Sequence, residues 1–287
     1  MARLTYRVPR IPEAPRSIQR GVPLKTLLDV ATVDHLARNI RLVWPRFDAP
    51  SFRRSALDGL AECELMARGE HLAAALHRHL PADYRAAVAV LLDSLTPAQT
   101  TTEDSGLTGF FYLSHGCFIA RYGVESQTGG DDDRFEPSMT ALHALTQRFT
   151  AELAIRAFLL RHPARTLARV AAWTSDPNPH VRRLCSEGTR PRLPWGRRVP
   201  LLLADPHTTL PILERLRRDP SLYVRRSVAN HVGDIAKGHP EVAFALCERW
   251  LREDASPECR WMVRQAVRHP TRQGQARALA LRALAQR

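Results

Sequence analysis

The sequence predicts an all-α protein built from stacked helix pairs, on three observations. Apolar residues recur at helical spacing through most of the 287 residues, as in the series that begins at Leu24 and runs through Val33, Leu36 and Ile40. Strand signals are sparse, because few stretches alternate Val or Ile with polar residues. The third observation is an internal repeat in the second half of the chain.

The repeat consists of three segments that each begin with aspartate: Asp176–Arg183, Asp219–Arg226 and Asp254–Trp261. Successive segments are offset by 43 and 35 residues, and each follows an apolar helical stretch. These offsets bracket the length of the helix pair in HEAT-type solenoids. Stacked pairs of this kind bury one face against their neighbours and leave an extended concave surface. We therefore predict a HEAT-like helical-repeat solenoid, an α-α superhelix.

The repeats are clearest over residues 165–270, and we expect one repeat domain over residues 21–287. Residues 1–20 are rich in Pro and Arg and predict a flexible basic tail. Further helices are predicted at Ser51–Met66, His71–Leu80 and Tyr84–Leu95, the last begun by Pro81-Ala82-Asp83.

Residues 96–137 are the least regular part of the sequence. The aromatic residues from Phe110 to Tyr122 are either core or a platform on which bases stack. The acidic stretch Gly129–Asp133 is a solvated loop or a metal site, although no partner ligands stand at calcium-loop spacing.

The charge balance points to a polyanionic partner. The formal net charge is +13 and the isoelectric point is about 10.6, which favours nucleic acid. A chain rich in Arg and Ala from a high-GC genome carries the same excess, so the placement of the arginines matters more than their number. No apolar run is long enough to cross a membrane, and the N-terminus lacks a secretory signal.

The five cysteines are scattered and form no C-x-x-C pair, which is typical of free thiols in a reducing cytoplasm. No cluster of Cys and His has the spacing of zinc ligands, so we expect no metal.

A helical wheel places a carboxylate inside a basic stripe in each of two repeats. In the first, Arg183, Glu187 and Arg190 share a face opposite the apolar residues Val181, Leu184, Cys185 and Gly188. The second repeats this arrangement, with the packed face Val224, Val228, Val232 and Ile235 and the polar line Arg226, Asn230, Asp234 and Lys237. One interpretation is that the carboxylates form ordinary ion pairs on a solvated face, which contribute about 0.3–0.5 kcal/mol each. The other is a functional site.

The loop after the first of these helices favours the functional interpretation. Gly188 and two prolines end the helix abruptly, and Arg190 and Arg192 then lead to Trp195. Arginines beside an exposed aromatic suit a phosphate backbone and the face of a sugar or base. A packed turn residue is the alternative for Trp195.

Two long strings, residues 173–195 and residues 219–237, resemble the signature of AlkC-type DNA glycosylases in the AlkC/AlkD HEAT-like superfamily. Weaker similarity covers residues 149–156 and extends the resemblance over roughly residues 21–270. The chain departs from the family pattern at Gly233, Leu153 and Leu113, and Gly129–Asp133 looks like an insertion. The immunoglobulin-like domain that follows in some members is expected to be absent.

The resemblance implies an arc of helix pairs whose concave basic face cradles double-stranded DNA containing alkylated bases. It implies a glycosylase of base excision repair that removes a cationic alkylated base, 3-methyladenine foremost, without flipping it out of the duplex. It places the catalytic carboxylates at Glu152, Glu187 and Asp234, flanked by Arg183 and Trp195. Further DNA contacts are expected from Arg190, Arg192, Arg226, Asn230 and Lys237. We expect no cofactor, and a monomer in the cytoplasm, associated with the nucleoid.

These residue types suit that chemistry, because a base alkylated at N3 is already positively charged and leaves without protonation. The barrier lies in a sugar with oxocarbenium character, which carboxylates stabilise. We assign Glu187 and Glu152 to this stabilisation and Asp234 to the attacking water. Two alternatives remain: a catalytically silent module that binds nucleic acid or protein, and an AlkD-like enzyme that also removes 7-alkylguanine.

Overall fold

The structure is a computed structural model that describes residues 8–102, 106–125 and 133–286. These residues contain helices and no β-strand, and the chain divides into two compact units, Met1–Phe158 and Leu159–Arg287. Sixteen α-helices lie in the described residues: α1 (Val30–Val43), α2 (Ala49–Leu57), α3 (Leu65–His79), α4 (Tyr84–Asp93), α5 (Leu113–Tyr122), α6 (Phe135–Thr146), α7 (Ile155–Arg161), α8 (Pro163–Trp173), α9 (Pro179–Glu187), α10 (Pro200–Ala204), α11 (Leu210–Leu216), α12 (Leu222–Ala236), α13 (Pro240–Glu253), α14 (Pro257–Ala266), α15 (Arg268–Arg272) and α16 (Ala276–Leu284). The predicted all-α helical-repeat fold is confirmed, whereas the single repeat domain stays a prediction.

Three helices of the first unit begin where an aspartate caps them. The carboxylates of Asp29, Asp48 and Asp83 accept backbone N–H groups in the first turns of α1, α2 and α4. The predicted helix Ser51–Met66 is wrong, because α2 ends at Leu57 and α3 starts at Leu65. Between them Gly59 has a φ of +75°, a left-handed conformation that favours glycine.

The stretch that the sequence predicts to be irregular contains a 3₁₀ turn at Thr108–Tyr112 that leads into α5. Its aromatic residues Phe111, Tyr112, Phe118 and Tyr122 are buried, so they are core and not a stacking platform. α5 packs on α3, where a Cβ at Gly69 would lie 2.8 Å from a Leu113 side-chain carbon. Of the acidic stretch Gly129–Asp133, all but Asp133 lies outside the described residues.

Part of the predicted N-terminal tail is attached to the first unit. Asn39 on α1 accepts the backbone N–H of Arg10 at 3.0 Å and donates to the Arg10 carbonyl at 2.8 Å. Further along, the carbonyl of Pro15 accepts the Leu107 N–H. Residues 1–7 lie outside the described residues.

The second unit stacks its helix pairs through their second helices. α9 packs on α12, and α12 packs on α14, while α8, α11 and α13 lie beside them. The apolar faces predicted for α9 and α12 are buried, as the residues Val181, Leu184, Cys185, Val224, Val228, Val232 and Ile235 show. Among the described residues, no helix is both long and apolar enough to span a bilayer.

The aspartate that opens each repeat builds the turn before its second helix. Asp176, Asp219 and Asp254 accept the backbone N–H two residues on, at 2.8, 2.8 and 3.0 Å. The Asp219 carboxylate also accepts hydrogen bonds from Nε and Nη2 of Arg182, in the preceding repeat, at 2.6 and 3.0 Å. This bidentate pair joins two repeats, and the Asp219 side chain is 3% exposed.

We expect Asp219→Asn to lower the free energy of unfolding by about 2 kcal/mol, because it removes the charge of a buried carboxylate that makes a bidentate ion pair with the half-buried Arg182. The amide oxygen of asparagine still accepts the Ser221 N–H, so the turn is retained. Asp254→Asn is the matched control: its partner Arg218 is 58% exposed, so the loss is below about 1 kcal/mol. Urea unfolding measures both, and equal losses would contradict the role given to the Arg182–Asp219 pair.

Candidate active site

One guanidinium joins two buried carboxylates from neighbouring repeats. Arg190 donates from Nη1 to Glu187 Oε1 at 2.6 Å and from Nε to Asp234 Oδ2 at 2.8 Å. Glu187 is 5% exposed and Asp234 is 3% exposed. The carboxylates do pair with arginines, as one interpretation of the sequence predicts, but they are buried, so their placement on a solvated helix face is wrong.

The geometry follows from where the helices end. Glu187 is the last residue of α9, and the chain leaves the helix at Gly188, so that Arg190 folds back between α9 and α12. Asp234 lies in the last turn of α12, and the C-cap residue Lys237 donates to its Oδ1 at 3.1 Å. A cation at this position also interacts favourably with the C-terminal end of the helix dipole.

Ser227 and Arg183 complete the surroundings of Glu187. The buried Ser227 hydroxyl donates to Glu187 Oε2 at 2.6 Å, and Arg183 Nη2 lies 3.5 Å from Oε1. The Arg183 guanidinium also lies over the Tyr223 ring, 5.3 Å from its centroid. Both carboxylate oxygens of Glu187 are thus engaged by donors.

These partners decide the charge of Glu187. Burial raises the pKa of the carboxyl, but Arg183, Arg190 and the hydrogen bonds from Ser227 and Arg190 outweigh it, so the pKa is lowered. Burial likewise lowers the pKa of Arg190, and the two carboxylates more than reverse this. Glu187 is therefore an anion at neutral pH.

A buried histidine supports the end of α9 that carries Glu187. His231 Nδ1 lies 2.9 Å from the Ser186 carbonyl, and Nε2 lies 3.2 Å from the Thr209 hydroxyl. A carbonyl can only accept, so Nδ1 carries a proton. Burial lowers the pKa of His231 to about 4.

Asp234 lines an open cleft of about 430 Å³. The predicted residues Arg190, Asn230 and Lys237 line it too, together with four polar residues that sequence reasoning missed: Gln265, Arg268, His269 and Arg272. The spacing of the repeats could have predicted one of these residues, Arg272. Lys237 stands 18 residues after Asp219, and Arg272 stands 18 residues after Asp254.

The other predicted residues are dispersed. Arg226 is exposed on α12, and Arg192 and Trp195 are exposed on the loop after α9. Trp195 is 64% exposed with a φ of +60°, so it is not a packed turn residue, and its backbone is strained. Glu152 belongs to the first unit, where the Thr150 hydroxyl donates to its Oε2 at 2.6 Å. Its catalytic role stays a prediction.

The fold and this site define a HEAT-like helical-repeat protein in which one arginine holds two buried carboxylates, one of which, Asp234, lines a cationic cleft. No family model matches the chain. The chain is 35% identical over 259 residues to the uncharacterized protein YhaZ of Bacillus subtilis (strain 168), covering 90% of this chain and 67% of the relative. One solved structure matches this chain with a TM-score of 0.79 and 40% sequence identity. The match covers 91% of this chain and 67% of the chain in that structure. That structure is of the Pseudomonas fluorescens alkylpurine DNA glycosylase AlkC bound to DNA containing an abasic site analog. This chain belongs to the AlkC-type family of DNA glycosylases.

The stability of the protein should fall in mild acid because of His231. The unfolded chain takes up a proton near pH 6.5, and the folded ring takes one up only near pH 4, so protonation favours unfolding between these values. We expect a loss of about 2 kcal/mol from pH 7 to pH 5 that depends on this residue.

Urea unfolding at several pH values measures this loss. His231→Gln should remove that part of the pH dependence, whatever its effect at pH 7. His207→Gln, at an exposed position of the same unit, should keep the wild-type profile. The assignment fails if the His231 variant retains the full acid-side loss.

Proposed function

We propose that this chain hydrolyses the N-glycosidic bond of cationic alkylated bases in double-stranded DNA. We further propose that 3-methyladenine is the preferred base and that it is not flipped into a pocket. The observation that carries the proposal is the Glu187–Arg190–Asp234 cluster: two buried carboxylates held by one arginine beside an open cationic cleft. The likeness to an alkylpurine DNA glycosylase solved with abasic-site DNA supports it.

The lowered pKa of Glu187 favours a cationic base over a neutral one. A neutral base must be protonated as it leaves, which requires a general acid, and an ionised Glu187 has no proton to give. A base alkylated at N3 departs without one, because the electron pair of the breaking bond neutralises its charge. The buried anion also attracts the positive charge of the lesion, which an ordinary base lacks.

In the proposed reaction the bond between C1′ and the base nitrogen breaks first, and positive charge develops on the sugar. Glu187 and Glu152 stabilise that charge. A water molecule then attacks C1′, and Asp234 orients it and takes its proton. The products are the neutral alkylated base and an abasic site with a hydroxyl at C1′.

The remaining predicted residues take binding roles, with one revision. Arg183 and Trp195 flank the lesion, and Arg192, Arg226, Asn230 and Lys237 contact the DNA. Arg190 was predicted to contact DNA as well, but its Nε and Nη1 are used by the two carboxylates. We therefore assign Arg190 to holding Glu187 and Asp234. The protein acts as a monomer on the nucleoid.

Release of free bases from methylated duplex DNA tests the proposal. We expect the wild type to release 3-methyladenine, and Glu187→Gln or Asp234→Asn to slow that release by about 10²–10³-fold. Glu248→Gln is the control: it removes a bidentate ion pair with Arg277 in the same unit and should keep full activity.

Other outcomes would overturn parts of the proposal. A protein that binds duplex DNA but releases no base would be the silent module. Release of 7-methylguanine at a comparable rate would replace the narrow specificity with the AlkD-like range. Release of a neutral damaged base such as hypoxanthine would contradict the argument from the charge of Glu187.

A further inference from the structure

We propose that the cleft beside Asp234 is a binding subsite for one DNA backbone phosphodiester, and that Arg268 and Arg272 of the third repeat form its outer wall. This inference rests on the proposed function, since it concerns the same DNA. It assigns a role to a repeat that the chemistry of Glu187 and Asp234 leaves unused.

The donors of this outer wall are available to a ligand. Among the described residues, the Arg272 side chain makes no hydrogen bond or ion pair, and that of Arg268 makes one contact, of 3.5 Å, to Gln265. Both side chains are exposed. The guanidinium groups therefore face the cleft without a protein anion to neutralise them.

The charges around the cleft favour a monoanion that is hydrogen-bonded on several sides. Its cationic lining residues are Arg190, Lys237, Arg268 and Arg272, and Asp234 is its one carboxylate. Arg190 and Lys237 pair with the carboxylates of Glu187 and Asp234, so the excess positive charge lies with Arg268 and Arg272. Guanidinium groups bind phosphate oxygens through parallel N–H donors.

Gly233 brings the third repeat close enough to share a cleft with Asp234. A Cβ at Gly233 would lie 3.2 Å from the Ala266 carbonyl oxygen, which is tighter than ordinary contact. The glycine thus permits a close approach of α12 and α14. Asp234 follows Gly233 on α12, and α14 ends shortly before Arg268, so both residues lie near this approach.

A polymer suits the cleft better than a small anion. The cleft is open and about 430 Å³ in volume, and its cations Lys237, Arg268 and Arg272 are exposed, so that a phosphate can enter as part of a continuous strand. A phosphate held there would fix the register of the strand against Asp234, which positions the water in the proposed reaction.

The test is the salt dependence of binding to an undamaged duplex, measured by fluorescence anisotropy between about 0.05 and 0.3 M salt. Counterion release dominates the salt dependence in this range. We expect Arg268→Ala and Arg272→Ala each to reduce the slope of log K against log salt by about 0.9, and the double variant by about twice that. Each loss corresponds to roughly 5–10-fold weaker binding at about 0.1 M salt.

The control is Arg252→Ala, which removes an exposed arginine of the same unit that does not line the cleft. It should keep the wild-type slope. Unchanged slopes for Arg268→Ala and Arg272→Ala, or an equal loss in Arg252→Ala, would overturn the subsite. Circular dichroism confirms that each variant is folded.

This experiment separates the subsite from the proposed function, because an undamaged duplex requires no chemistry. A reduced slope in a protein that releases no base would leave the subsite in place and refute the glycosylase. Base release together with wild-type slopes in both variants would refute the subsite and leave the glycosylase in place.

Discussion

The arrangement of the second unit depends on Arg190, whose guanidinium lies between two carboxylates that would otherwise repel each other in a buried site. Glu187 is the last residue of α9 and Asp234 lies in the last turn of α12, so the stacking of the repeats brings two carboxylates together. Burying such charges costs several kcal/mol per ion, and pairing returns only part of it. A buried ion cluster of this kind is poor evidence for stability, and we interpret it as a functional site.

The repeat architecture explains how that charge is held in place. Each repeat opens with an aspartate turn, and the Arg182–Asp219 pair joins the first repeat to the second. His231 on α12 donates a hydrogen bond to the carbonyl of Ser186, the residue before Glu187, and so links the end of α9 to α12. Because these contacts come from the repeat scaffold, the carboxylates are preorganised before any DNA arrives, which is the condition for strong electrostatic stabilisation.

Helical periodicity predicted the apolar faces of α9 and α12, and the recurring aspartate predicted the turns between them. The apolar pattern continues across the break at Gly59 and so predicts one long helix there, although Asp58-Gly59 is a turn signal. The burial of Glu187 and its bond to Ser227 could not be foreseen, since a helical wheel shows which face a residue takes and not what packs against it. The cations of the third repeat were missed because α14 ends before them.

The central claim is that Glu187 works as an anion and that no group donates a proton to the departing base. The most direct test is the rate of 3-methyladenine release from saturating duplex DNA, in single turnovers, as a function of pH. Because the pKa of Glu187 is held below its usual value, the account predicts a rate that is level over roughly pH 5.5 to 8. A rate that climbs as the pH falls through this range would reveal a general acid and contradict it.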